Sequence, residues 1–100
     1  MSEEINYKDE FGHTQLMWES FWGRTQQISE IIAQPETDPN LCDNTGRTAL
    51  MIAIERKHTE SIKELLKHPS IDITIKDNYN KTAWDLADKT LREEIPELSC

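Results

Sequence analysis

Histidine and cysteine side chains are the groups of this 100-residue chain that could hold a metal ion or act as a base or a nucleophile. They are His13, His58, His68, Cys42 and Cys100. Their spacing does not match that of zinc ligands, and no histidine stands beside an evident nucleophile. Three glycines are too few for a phosphate-binding loop. We therefore predict no catalytic residue, no metal-binding residue, no cofactor and no enzyme activity.

Aromatic side chains are concentrated near the N-terminus, in a pattern that suits binding better than catalysis. Five of the seven lie in the first 22 residues: Tyr7, Phe11, Trp18, Phe21 and Trp22. Trp, Tyr and Arg are the side chains that most often dominate the energy of protein interfaces. We expect this segment to contain a protein-binding patch. Two alternatives stay open, because these side chains could instead pack over the end of the fold or mediate self-association.

Acidic charge is concentrated in the same half of the chain. Residues 1–45 carry nine acidic and two basic side chains, a net charge of −7, whereas residues 46–100 carry ten acidic and nine basic ones. This distribution argues against nucleic acid or an anionic membrane as a ligand of the N-terminal half. It permits a basic protein partner. The alternative is an acidic cap that only keeps the fold soluble.

Length and composition favour one small domain inside a cell. A chain of 100 residues predicts a single domain, 1–100. We find no apolar run long enough to span a bilayer and no secretion signal at residues 1–5. Two cysteines do not make a disulfide framework. We expect a cytoplasmic monomer.

A 34-residue repeat must position all of these side chains. Its units begin DEFGHTQL at Asp9, DNTGRTAL at Asp43 and DNYNKTAW at Asp77. The fourth column holds Gly12, Gly46 and Asn80, and Gly and Asn are the residues that best tolerate a positive φ. The sixth column holds Thr14, Thr48 and Thr82, where a hydroxyl can cap the helix that follows. Repeats of this length are supersecondary units that stack because none can bury its apolar face alone.

Within a unit the sequence changes from turn residues to helical periodicity. Residues 50–54 form an apolar run that suits an inner helix packed on both sides. Ile62, Leu65 and Leu66 then lie at i, i+3 and i+4, the spacing of an amphipathic outer helix. Pro69 follows where this helix should end. The return segments 39–42 and 71–75 alternate in a way that predicts hairpin arms.

The third unit is shorter than the other two. Leu91, Ile95 and Leu98 lie at i, i+4 and i+7, which predicts a brief C-terminal helix that Pro96 strains.

These columns resemble ankyrin repeats. The second unit carries the residues of that family's pattern at Asp43, Gly46, Thr48, Leu50, Ala53, His58, Ile62, Leu65, Leu66, Asp72 and Ile73. The resemblance covers about residues 7–98, and it implies repeats at about 9–42, 43–76 and 77–98, the last truncated. The implied fold is all-α, a solenoid of stacked helix-turn-helix units with β-hairpin-like loops. Protein binding is the function that such a resemblance implies.

The resemblance also implies where a partner would bind, because turn tips and exposed ends of inner helices form the family's concave face. Carried over by column, the partner-binding residues are Phe11, His13, Phe21, Trp22, Arg47, Glu55, Arg56, Tyr79 and Lys81. Trp18 and Trp84 occupy columns that pack between units, so we expect both in the core. Glu19 and Ser20 replace the family's paired alanines, and we expect that helix face to be open to solvent.

Our hypothesis is an adaptor, inhibitor or effector that binds a partner protein through the concave face. If it is an effector of the kind known among bacterial and protist ankyrin proteins, its location would be a host cytoplasm. One alternative is a structural spacer or a fragment of a longer array. Another is an acidic mimic that blocks a nucleic-acid-binding protein.

Overall fold

Three pairs of helices, repeating at an offset of 34 residues, form the computed structural model, which describes residues 4–99. Residues 1–3 and Cys100 lie outside the described part. The inner helices are α1 (Gln15–Trp22), α3 (Ala49–Glu55) and α5 (Ala83–Leu86), and the outer helices are α2 (Thr25–Ile32), α4 (Thr59–Leu65) and α6 (Lys89–Glu94). A 3₁₀ helix (Pro96–Leu98) ends the described chain. The predicted all-α stack of helix-turn-helix units is confirmed.

The threonine column starts the inner helices, as the sequence predicts. Each threonine Oγ1 accepts a hydrogen bond from the backbone N–H three residues later, at 3.3 Å in all three units. In the last unit Asp85 completes a capping box by accepting the Thr82 N–H at 3.1 Å. The short helices of this fold therefore begin at fixed positions relative to the turns before them.

Stacking buries one continuous core. Inner helix α1 packs against α3, and α3 packs against α5, while outer helix α2 packs against α4. Ile28, Ile62 and Leu65 of the outer helices have no exposed surface.

The C-terminal residues complete this core. Leu91, Ile95 and Leu98 are all buried, but their spacing predicts one helix across all three, whereas Leu98 lies in the 3₁₀ helix and only Leu91 lies in α6. Helix α6 ends at Glu94, before Pro96, whose ring prevents the preceding residue from continuing a helix.

Two expectations about this fold are wrong. Glu19 and Ser20 are buried instead of facing solvent. The Ser20 hydroxyl donates to the Leu16 carbonyl at 2.8 Å, and Glu19 pairs with Arg24 at 3.3 Å, so both polar groups are satisfied without water. The return segments form no strand within residues 4–99.

Asparagine side chains hold the return segments in place of strand pairing. Asn40 donates to the Ser70 carbonyl and accepts the Asp72 N–H, both at 2.8 Å. Thirty-four residues earlier, Asn6 makes the same two bonds, also at 2.8 Å, to Glu36 and Asp38. One amide side chain thus satisfies two backbone groups in the loop that follows the next outer helix, and this happens twice along the stack.

Lys57 carries backbone strain that a glycine would relieve. It follows α3 with φ of 60°, in the same repeat column as Gly23, which has φ of 71°. We expect Lys57→Gly to raise the free energy of unfolding by about 1 kcal/mol, because a left-handed conformation disfavours a Cβ atom. The lost ion pair with Asp88, 3.3 Å long and exposed, contributes little. Urea unfolding followed by circular dichroism measures the change.

Lys57→Ala is the matched control, since it removes the same ion pair but keeps the strained Cβ. It should be no more stable than the native chain. Equal stability of the glycine and alanine variants would contradict the assignment of strain to this position.

Candidate functional site

A carboxylate shapes each turn tip of the stack, where the tips are residues 9–13, 43–47 and 77–81. In the second tip Asp43 Oδ1 accepts the N–H groups of Thr45 and Arg47, each at 2.9 Å. The Asp43 N–H donates to the Arg47 carbonyl, also at 2.9 Å. The first and third tips repeat these bonds with Asp9 and Asp77. The intervening Gly12, Gly46 and Asn80 all have the predicted positive φ.

Adjacent tips lie in direct backbone contact. The Asn44 N–H donates to the Phe11 carbonyl at 3.3 Å, and the Asn78 N–H donates to the Thr45 carbonyl at 3.0 Å. A Cβ atom on Gly46 would lie 2.6 Å from Asn78 Oδ1 and 2.8 Å from its backbone nitrogen. Glycine is therefore required here both by its φ and by the close approach of the next unit.

Rings from the first tip and helix α1 form a continuous aromatic row: Phe11, His13, Trp18, Phe21 and Trp22. Successive ring centroids are 6.3, 4.9, 6.3 and 4.9 Å apart. Three of the four contacts are edge-to-face, which is an arrangement that aromatic rings favour. The row thus joins four residues predicted for the site to Trp18, which was not predicted for it.

The expectation that Trp18 lies in the core is wrong. It is 40% exposed, and its indole N–H donates to Asp9 Oδ2 at 3.0 Å. Trp84, expected in the core as well, is half-buried and packs against it, with the guanidinium carbon of Arg92 4.9 Å from its ring. The two indoles therefore differ, and only the first belongs to the aromatic row.

The other rings of the row differ in exposure. Phe11 and Trp22 are exposed as expected, at 57% and 56%. Phe21 is only partly exposed, because its ring packs against the core and lies 4.3 Å from the guanidinium carbon of Arg56. The exposed ring of Trp22 therefore packs edge to face against the half-buried ring of Phe21.

Asp43 also connects the aromatic row to a polar strip on the second unit, which we define as Asp43, Arg47 and Glu55. His13 Nε2 lies 3.2 Å from Asp43 Oδ2 and must be the donor to that carboxylate. Arg47 Nε donates to the same oxygen at 3.2 Å, and Arg47 Nη1 donates to Glu55 Oε1 at 2.6 Å. Two predicted site residues thus converge on one carboxylate that the sequence prediction missed, and a third is joined to it through Arg47.

The charges of the polar strip stabilise one another. Burial alone would raise the pKa of Asp43, but hydrogen bonds from Arg47 and Thr45 and the charge of Arg47 outweigh it and lower that pKa below its ordinary value. Burial would lower the pKa of Arg47, and its bond to Glu55 more than compensates, so that pKa is raised. Both groups are charged throughout the physiological range.

The two predicted site residues of the third unit lie beside this strip. Tyr79 is 78% exposed. It lines a cavity of about 320 Å³ together with Thr45, Arg47, Glu55 and Asp77. Lys81 is exposed, and its backbone N–H donates to Asp77 Oδ1 at 2.9 Å. Tyr79 therefore extends the surface across the third tip, while Lys81 ends that tip.

The histidines that could have done chemistry have other partners. His58 Nε2 lies 3.0 Å from the Phe21 carbonyl at the end of α1, and its ring occupies the space beside Gly23. His68 Nδ1 accepts the Ser70 N–H at 3.0 Å. Residues 4–99 contain no group of three or more His, Cys, Asp or Glu side chains placed to hold a metal ion. Nor do they contain a helix long and apolar enough to cross a bilayer.

Comparison with known protein families agrees with the repeat pattern. A family model described as ankyrin repeats, in three copies, matches residues 16–95. No curated protein matches the chain. The family match spans all three pairs of helices except the first residue of α1.

Asp43 should make folding sensitive to acid. Because its pKa is lower in the folded state, its contribution is complete above the unfolded value, about 3.9, and is lost as the pH falls through the folded value. We expect the free energy of unfolding to fall mainly below pH 4. We also expect Asp43→Asn to cost about 1–2 kcal/mol at pH 7. Urea unfolding at pH 7, 5 and 3 measures both effects.

The native chain should lose more stability than the Asp43→Asn variant between pH 5 and pH 3, since only the native side chain titrates there. Identical losses in the two proteins would show that the Asp43 carboxylate does not drive the acid response.

Proposed function

This chain belongs to the ankyrin-repeat family, and from that premise we propose that it binds a partner protein through its concave face. Ankyrin repeats are generally protein–protein interaction modules, and the family is generally non-enzymatic. The proposed surface consists of the aromatic row, the polar strip and the exposed ring of Tyr79. The finer role we propose is that of an adaptor, inhibitor or effector acting as a monomer.

The aromatic row is the observation that carries this proposal. Phe11, Trp18 and Trp22 keep 57%, 40% and 56% of their surface exposed although the chain buries a well-formed core elsewhere. Large exposed apolar side chains grouped together mark interaction surfaces more often than isolated ones do. Ring contacts and the Trp18–Asp9 bond already fix these rings, so binding would cost little side-chain entropy. Rigid aromatic anchors of this kind are the usual hot spots of interfaces.

The polar strip supports the same surface. Arg47, bonded to both Asp43 and Glu55, is pre-organised with one-third of its side chain exposed, and Asp43 joins it to His13 of the aromatic row. Arg56 covers Phe21 and adds a second guanidinium to the face. Polar groups around an apolar centre are the common arrangement of protein interfaces.

We place this activity in a reducing compartment such as the cytoplasm. Cys42 is a free, partly buried thiol, and burial raises its pKa, so that it stays protonated and unreactive. The Lys8 ammonium donates to the Cys42 carbonyl at 2.6 Å, and the thiol donates to the Asn40 carbonyl at 3.8 Å.

A second candidate is a structural segment that docks another repeat unit. A cavity of about 530 Å³ lies between outer helix α4 and the C-terminal residues. Leu66, Ile71, Ile73 and Ile95 supply its apolar lining, and two lysines (Lys63, Lys67) and two glutamates (Glu94, Glu97) add charges of both signs. A groove at this place, beside the short outer helix of the third unit, would accept an apolar segment of a longer array. The two candidates use different surfaces and can be separated by substitution.

The deciding measurement is quantitative capture of partners from source-cell lysate by four immobilised proteins. They are the native chain, Phe11→Ser/Trp22→Ser for the aromatic row, Lys63→Glu/Lys67→Glu for the groove, and Gln27→Ala as an exposed control on α2. We expect the double serine variant to retain at least about tenfold less of a specific partner, since losing two hot spots costs more than about 1.4 kcal/mol. Circular dichroism verifies equal folding beforehand.

Other outcomes point to other functions. Loss confined to the Lys63/Lys67 variant would favour docking of a further unit. Binding that survives the serine substitutions and collapses at high salt would favour an acidic mimic. Equal capture by all four proteins would exclude the aromatic row as the binding site.

A further inference from the structure

A separate cavity of about 240 Å³ lies at the N-terminal edge of the aromatic row, between residues 4–9 and the start of helix α1. Its lining consists of Glu4, Ile5, Tyr7, Asp9, His13, Gln15 and Trp18. Two of these seven side chains are carboxylates, and none is a lysine or an arginine. The cavity is therefore acidic, within the half of the chain that carries most of the negative charge.

Two aromatic side chains offer the cavity exposed π-systems. Tyr7 is 68% exposed and Trp18 is 40% exposed. The Trp18 indole cannot turn freely, because its N–H is bonded to Asp9 at 3.0 Å and its ring meets that of His13 edge to face. A fixed indole is the best aromatic partner for a cation.

Asp9 supplies a fixed negative charge at the same place. Its Oδ1 accepts the N–H groups of Phe11 and His13, and its Oδ2 accepts the Trp18 indole N–H. The His13 bond is the first of several causes that lower the pKa of Asp9 below its ordinary value. A carboxylate can accept about four hydrogen bonds, so one acceptor position remains on Oδ2.

The wall of the cavity also contains a buried nitrogen without a partner, in the ring of His13. Its Nε2 donates to Asp43, so in the neutral ring Nδ1 is an acceptor. This Nδ1 is buried and has no hydrogen-bond partner among residues 4–99. Buried polar atoms are rarely left unsatisfied, which makes this ring an unusual part of the cavity wall.

We propose that this cavity binds an arginine side chain of the partner protein. The proposal rests on the proposed function and specifies it, because it defines the partner as one that presents a basic segment to the first unit. A guanidinium group has five N–H donors, which suit the open acceptor position of Asp9 Oδ2 and the exposed carboxylate of Glu4. Its planar cation also stacks on aromatic rings, which suits Trp18 and Tyr7 better than the compact ammonium of lysine.

The test is a titration of the ¹⁵N-labelled full chain with capped tripeptides, followed by two-dimensional NMR. Gly-Arg-Gly is the probe, Gly-citrulline-Gly is its neutral isostere, and Gly-Lys-Gly tests the guanidinium preference. We expect the arginine probe to shift the Trp18 indole N–H signal and the backbone signals of residues 4–9 in a saturable way. The citrulline probe should bind at least about fivefold more weakly, because it lacks the cation.

Variants of the chain locate the site. Tyr7→Ala and Glu4→Gln, both at exposed positions, should each weaken the arginine probe about threefold. Gln27→Ala is the control, since Gln27 is exposed on α2 and lies outside both the cavity and the aromatic row. It should leave the affinity unchanged.

Several results would overturn the inference. They are the absence of a saturable shift, equal binding of the arginine and citrulline probes, and an affinity for the arginine probe that Tyr7→Ala and Glu4→Gln leave unchanged. Equal binding of lysine would overturn the preference for guanidinium. If the arginine probe does not bind while partner capture still depends on Phe11 and Trp22, the cavity inference is contradicted and the proposed function is not. If the arginine probe binds but partner capture is unaffected by the Phe11 and Trp22 substitutions, the cavity inference is supported and the proposed binding face is contradicted.

Discussion

The carboxylate at the start of each unit is the constraint on which the rest of this molecule depends. One oxygen of Asp9, Asp43 or Asp77 gathers two backbone N–H groups, which closes the tip and requires a residue with positive φ at its fourth position. The closed tip places a threonine where it caps the inner helix. It also brings adjacent tips into backbone hydrogen bonding. Without this turn neither the helix starts nor the aromatic row would have a defined position.

Asp43 shows how a single residue serves folding and binding together. Its first oxygen builds its own tip, while its second accepts from His13 of the preceding unit and from Arg47. A buried carboxylate is costly unless it is fully hydrogen-bonded, and these partners satisfy it. The same bonds set the ring of His13 within the aromatic row and direct Arg47 toward Glu55. The hydrogen bonds that stabilise the buried Asp43 carboxylate therefore also fix the geometry of the aromatic row and the polar strip.

Much of this could be predicted from the sequence, because the repeat offset identifies local features: the turns, the helix caps and the two helices of a unit. The errors concern features that depend on neighbouring groups. Trp18 stays partly exposed since, among residues 4–99, little covers its side of α1, and its polar N–H finds Asp9 nearby. Glu19 and Ser20 are buried because partners close in sequence satisfy them. An Asp within a turn pattern also gives no sign that its second oxygen will bridge two units, so the role of Asp43 was missed.

The paired bonds of Asn6 and Asn40 have a consequence for how such a chain can change over evolutionary time. Both side chains tie one return segment to the next with the same donor, the same acceptor and the same 2.8 Å distances. A joint that is identical at successive positions does not depend on which unit follows it. Duplication or loss of a whole 34-residue segment in this register would rebuild the same joint, whereas a length change of any other size would break it. The asparagine joint therefore tolerates changes of chain length in whole units, whereas the bond from His13 to Asp43 is specific to the first two units.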